Sequence, residues 1–167
     1  NLHYLVGSSG SLRIAPVEPY NELACHFLND LSRAILNDSQ TKQFPDVISF
    51  GYWCRRANID RLKASFGHDQ TRLGVGLVFH IAPSNVPVNF AFSFAFGLLS
   101  GDANIVRIPS KDFPQTKILC RLIKDLFNTK IYQTLAQQNF FIRYPHNDDI
   151  TKQLSELCHA RVIWGGD

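Results

Sequence analysis

Methionine is absent from the 167 residues, and tryptophan occurs only twice. With no initiator residue, the chain reads as a trimmed or excised piece that starts at Asn1. No apolar run reaches the roughly 20 residues of a membrane-spanning helix. The longest, Val86 to Leu99, is interrupted by Pro87, Asn89, Ser93 and Gly97, so a protein without a membrane span is expected. Basic residues never gather into a block and the net charge is only +3, which argues against a nucleic-acid partner. The four cysteines, Cys25, Cys54, Cys120 and Cys158, are widely spaced and form neither a C-x-x-C pair nor a zinc pattern. No metal site is therefore expected, and the thiols read as buried groups in a reducing cytoplasm. Cys158 and His159 are sequence neighbours, yet neighbouring side chains diverge, so they are not read as a catalytic dyad. Neither G-x-G-x-x-G nor a P-loop occurs, which removes the usual dinucleotide and triphosphate fingerprints.

The remaining composition is that of a globular protein with an aromatic core: 45% hydrophobic, 19% charged, and 13 phenylalanines. Leu2–Val6 and Ser11–Ile14 flank Gly7-Ser8-Ser9-Gly10 and predict a β-hairpin. Leu23, Phe27, Leu28, Leu31, Ala34 and Ile35 recur at helical spacing and predict a helix over 19–37. A second helix is expected over 45–66, with Val47, Phe50, Trp53, Ile59 and Leu62 on its buried face.

After a loop at 67–70 the periodicity changes. Leu73–Ala82 is almost continuously apolar, as in a parallel strand covered on both faces. In 87–100, Phe90, Phe92, Phe94 and Phe96 alternate like a strand. A helix is nevertheless expected there, because so tight a strand-to-strand link would make a hairpin, and Pro87 at the start with Gly97 or Gly101 at the end punctuates it as a crossover. A strand at 103–108, a helix at 114–127, a helical turn at 131–136, a strand at 140–143, a helix at 148–158 and a strand at 161–164 complete the pattern. The β-α-β-α-β-α-β order implies an α/β fold with a parallel, Rossmann-like sheet, preceded by the hairpin and helices. Residues 1–70 and 71–167 are the expected two parts.

Ligands of such sheets bind at the carboxyl ends of the strands. Three ends carry suitable residues. Ala82-Pro83-Ser84-Asn85-Val86-Pro87 is a turn stiffened by two prolines, so Asn85 is either an ordinary turn residue or an amide donor for a developing oxyanion. Arg107, Ser110 and Lys111 follow the second strand, where a nucleotide's adenosine ribose is read. An acid there serves a free 2′-hydroxyl and a base a 2′-phosphate, so the basic trio favours NADP(H), unless it merely faces solvent or Asp112 turns inward. Trp164-Gly165-Gly166-Asp167 ends the last strand in glycines that let a backbone approach a ligand.

Taken together, GLVFHIAPSNVPVNFAFSFAFGLLSGDANIVRIPS and ARVIWGGD resemble the aldehyde dehydrogenase superfamily, most closely its fatty acyl-CoA reductases of the luminescence (LuxC) type. The resemblance covers residues 73–167. It implies that Asn85 is the oxyanion-hole asparagine that polarises a thioester carbonyl, and that Ile81, Ala82, Pro83 and Ser84 wall the cofactor. Arg107 stands where many relatives have lysine, and Ser110 where NAD-preferring relatives carry glutamate. Both departures fit NADPH and leave room for NADH. Gly165 and Gly166 match the loop beside the nicotinamide. The resemblance further implies an acyl-CoA or acyl-carrier substrate, a long-chain aldehyde product, and self-association through residues 1–15. The family's nucleophilic cysteine lies downstream in a catalytic domain and matches none of the four here. The chain by itself is therefore expected to be truncated and inactive. The alternative reading is a non-catalytic nucleotide-binding or assembly module on the same fold.

Overall fold

The computed structural model describes residues 1–10, 12–67 and 70–165. The chain opens with strand β1 (His3–Val6), then helices α1 (Glu22–Asn37), α2 (Pro45–Trp53) and α3 (Arg56–Phe66). Strand β2 (Leu77–Ile81), helix α4 (Asn89–Leu99), strand β3 (Ala103–Arg107) and helix α5 (Pro114–Phe127) follow. A 3-10 turn at Lys130–Tyr132 runs into α6 (Gln133–Ala136), and β4 (Asn139–Arg143), α7 (Asp148–Leu157) and β5 (Ala160–Ile163) close the sequence.

The sheet order is β1-β4-β3-β2-β5. β4, β3, β2 and β5 are parallel, as the alternation of strands and helices predicts. Side chains alternate between the faces. His80, Asn104, Val106 and Phe141 lie toward α4 and α5, whereas Leu77, Phe79, Ile105, Ile142 and Tyr144 lie toward α7. The first face carries most of the core. There Phe27 of α1 packs against Phe94, Phe127 and Tyr132, and α1 itself is N-capped by Asn21, whose Oδ1 accepts the Ala24 N–H at 3.0 Å.

The alternating phenylalanines are helical, as expected, and the structure supplies the reason. Phe90 and Phe94, four residues apart, pack on Phe141, while Phe92 and Phe96 pack on Trp53. A helix covered on two sides needs two apolar stripes, and two four-residue pairs offset by two mimic a strand's period.

Two expectations are corrected. Among the described residues no hairpin forms: Leu12–Ile14 is irregular, and Ser11 lies outside them. β1 instead pairs antiparallel with β4, His3 opposite Arg143 and Tyr4 opposite Ile142. That edge buries Val6 in the main core and sets Tyr4 edge-on to Phe140, which a lone hairpin could not offer. Gly7 is required in this position, since it has φ +88° and a Cβ would strike the Phe140 ring. The single helix over 45–66 is two, broken at Cys54-Arg55. The Asn58 amide donates to the Trp53 carbonyl (2.7 Å) and Asn29 Oδ1 accepts the Arg56 N–H (3.0 Å), so side chains satisfy backbone groups on both sides of the break.

Candidate functional site

The chain advances from β2 through β3 to β4 in one direction, then crosses back so that β5 lands on the other side of β2. The carboxyl ends of β2 and β5 stand side by side at this reversal of strand order, and open α/β sheets bind ligands in the crevice outside the strand ends at such a point.

One wall is the segment after β2. Ile81, Ala82 and Pro83 are half-buried, and Ser84 and Asn85 are exposed. The turn is held at both ends: the Ala82 N–H donates to Arg107 O (3.3 Å), and the Thr116 hydroxyl donates to Pro87 O (3.1 Å). Helix α4 starts immediately afterwards without a side-chain cap, so its first N–H groups and their partial positive charge face the same end. Asn89 Oδ1, in its first turn, is buried and has no hydrogen-bond partner among the described residues.

The opposite wall is the end of β5. The Trp164 N–H donates to Ile81 O at 3.1 Å, which puts Trp164 directly beside the first wall. Gly165 is exposed and a Cβ there would meet nothing within 4 Å, so space alone does not demand glycine. Gly166 lies outside the described residues.

The basic trio stands one strand away, after β3. The Arg107 guanidinium lies 4.5 Å over the Tyr144 ring, on the α7 face, and its Nε is buried without a partner among the described residues. Ser110 and Lys111 are exposed, the Lys111 ammonium sitting 4.9 Å from the Phe113 ring centre. Asp112 is engaged by Lys117 at 2.5 Å and Arg143 at 3.6 Å, and Lys117 holds its carboxyl below the usual carboxylate range.

Beneath the crevice runs a chain of buried polar groups that the sequence reading did not anticipate. Trp164 Nε1 lies 2.8 Å from Ser93 Oγ, and Ser93 Oγ 2.7 Å from His80 Nδ1. His80 Nε2 lies 2.8 Å from Asn104 Oδ1, the Asn104 amide donates to Asn139 Oδ1 (2.8 Å), and Asn139 donates to Leu135 O (2.9 Å). Burial pushes the His80 imidazole down to about 4, against the opposing pull of Asn104, so the ring is neutral at neutral pH. The sequence carries a signal of it: His80, Asn104 and Asn139 are polar residues set beside apolar runs in the three central strands. Only the strand register aligns them.

The cysteines stand elsewhere. Cys25 and Cys120 are buried in helices and Cys54 at the break between α2 and α3, and burial raises all three thiols, Cys120 to about 12. Cys158 precedes β5, at the amino end of the sheet, and its Sγ donates to Ser155 O at 3.3 Å. His159 does not face it, because its Nδ1 accepts the Leu77 N–H at 3.0 Å. Among the described residues no three His, Cys, Asp or Glu side chains cluster as metal ligands, and no helix is long and apolar enough to cross a membrane.

No curated protein and no solved structure gives a significant match to this chain. The family model described as acyl-CoA reductase (LuxC) matches residues 28–167, which spans every strand of the parallel sheet and both walls of the crevice. The chain belongs to the LuxC acyl-CoA reductase family.

Proposed function

We propose that this chain binds NADPH, with NADH as the second candidate donor, in the crevice between β2 and β5. In this reading Asn85 polarises the thioester carbonyl of an acyl-CoA or acyl-carrier substrate on its way to a long-chain aldehyde. The observation that carries it is the switch point itself, where Asn85, the uncapped start of α4 and the end of β5 converge. Ile81, Ala82, Pro83 and Ser84 line one side and Gly165 the other, and the proposal extends to Gly166, which lies outside the described residues. Arg107, Ser110 and Lys111 take the adenosine end. The donor set there suits a 2′-phosphate, since Arg107 Nε is buried without a partner among the described residues and Asp112 is occupied by Lys117.

Bound there, the dinucleotide supplies a hydride. Asn85 is exposed on a turn anchored at both ends, so its amide N–H is preorganised for the oxygen that gains charge as the carbonyl carbon is attacked. The α4 N-terminus adds positive potential at the same place. The thiolate that forms the acyl-enzyme comes from outside residues 1–167 in this reading, because three of the four cysteines here are buried among the helices and the fourth, Cys158, lies at the amino end of the sheet. Residues 1–167 alone then bind without turnover. A cytoplasmic setting and self-association through residues 1–15 belong to the same proposal.

Titration with NADPH tests it. Saturable binding by this chain, with reductase activity only when a nucleophile-bearing catalytic domain is present, is the expected result. Absence of binding to either dinucleotide overturns the cofactor reading. Binding with no acyl reduction in any form of the protein favours the non-catalytic module.

A further inference from the structure

We propose that Ser93 and His80 are positioning residues that set the plane of the Trp164 indole as a wall of the β2–β5 crevice, and thereby set how tightly a dinucleotide is held there. The inference rests on the cofactor reading above.

The directions of the hydrogen bonds leave one arrangement. Leu135 O only accepts, so the Asn139 amide nitrogen faces it and Asn139 Oδ1 faces Asn104. Both Asn104 amide protons are used, on Asn139 Oδ1 and on Asp102 O (3.0 Å), which leaves Asn104 Oδ1 to accept from His80 Nε2. His80 therefore carries its proton on Nε2 and accepts at Nδ1. The one Ser93 proton goes to His80 Nδ1, and the Ser93 oxygen is left as an acceptor aimed at Trp164 Nε1, a group that only donates.

The anchor is rigid and its load is exposed. His80 and Ser93 are 2% and 1% exposed, whereas Trp164 is 38% exposed. The indole, His80 and Ser93 border one groove of about 280 Å³ that runs beside α4 along β2 and β5, from Val75 and Ala160 at their amino ends up to Trp164 at the carboxyl end. An exposed ring held only by its backbone would swing about two side-chain torsions. The edge bond to Ser93 removes that freedom and leaves one flat face for a planar heterocycle to lie against. Strand β2 thus contributes twice, its carboxyl end forming one wall and its histidine aligning the other.

The test uses this chain with Trp53→Phe, which leaves Trp164 as its single fluorophore of that type. NADPH is expected to quench Trp164. Ser93→Ala is expected to shift Trp164 emission to the red and to raise the NADPH Kd about tenfold, and Ser93→Thr, which keeps the hydroxyl, to restore both. Trp164→Phe removes the indole N–H at a half-open position and guards against a folding defect in Ser93→Ala. Calorimetric titration in the otherwise native chain is expected to show a similarly raised Kd for it. An unchanged Kd in either Ser93→Ala or Trp164→Phe overturns the inference while leaving the cofactor reading intact. If the unmutated chain binds neither NADPH nor NADH, the cofactor reading fails, and this inference fails with it.

Discussion

Gly97 of α4 sits directly over Asn104 of β3: a Cβ at Gly97 would overlap Asn104 Oδ1 and come within 2.9 Å of His80 Nε2. The buried polar chain passes through the space that this missing side chain leaves. In an exposed helix interior, glycine to alanine stabilises by about 1 kcal/mol. Here Gly97→Ala is expected to destabilise by about 1 to 3 kcal/mol, because backbone and strand must part to admit one methyl group. Denaturant unfolding checks the sign, and a stabilised variant refutes the packing argument.

His80 makes stability depend on pH. Its imidazole is pushed down to about 4 in the fold, against about 6.5 unfolded, so the unfolded chain binds the proton first. Its contribution is whole above pH 6.5 and is lost as pH falls toward 4. Between pH 7 and pH 4.5 the loss is expected to be on the order of 2 to 3 kcal/mol. Carboxylates titrate in the same window, so the informative quantity is the difference between the native chain and His80→Gln. That variant is expected to be less stable at pH 7, with a flatter profile.

Asn85→Ala is expected to lower kcat of the complete reductase by about 100- to 1000-fold, the range for losing one oxyanion donor. Dinucleotide Kd should stay within about twofold, because the proposed role is at the carbonyl. Parallel loss of binding and rate would instead mark Asn85 as part of the turn's structure.

Ser110→Glu places an acid after β3. Carboxylates bind a ribose 2′-hydroxyl and repel a 2′-phosphate, so the ratio of kcat/KM for NADPH over NADH is expected to fall at least about tenfold. An unchanged ratio would show that the adenosine end lies away from Ser110.

Much of this architecture is legible in the residues, and the gaps have physical causes. The parallel strands announce themselves because burial on both faces forces near-continuous apolar runs, although the run from Leu73 becomes strand only at Leu77, Leu73 and Val75 being exposed. Helix α5 is legible to the residue, since Pro114 opens it and its apolar positions face a single side. The partner of β1 is not legible, because antiparallel pairing with β4 is a choice among distant edges that no local turn dictates. The break between α2 and α3 is hidden for a similar reason: one of the side chains that permits it, Asn29, comes from α1. At the site, the turn around Asn85 and the basic residues after β3 could be located as strand ends. The support for Trp164 could not, because Ser93 and His80 meet only once helix and sheet are docked.

The pairing of His3 with Arg143 also bears on how the chain is made. β1 is synthesised before the other four strands of the sheet, yet its hydrogen-bonding partner follows 140 residues later (143 − 3), which at about 5 to 20 residues per second is a delay of roughly 7 to 28 s. During that interval Leu5 and Val6 have no edge to join. The earliest made of these five strands is thus among the last to be placed, and its segment is the one most dependent on the rest of the sheet having assembled before it docks.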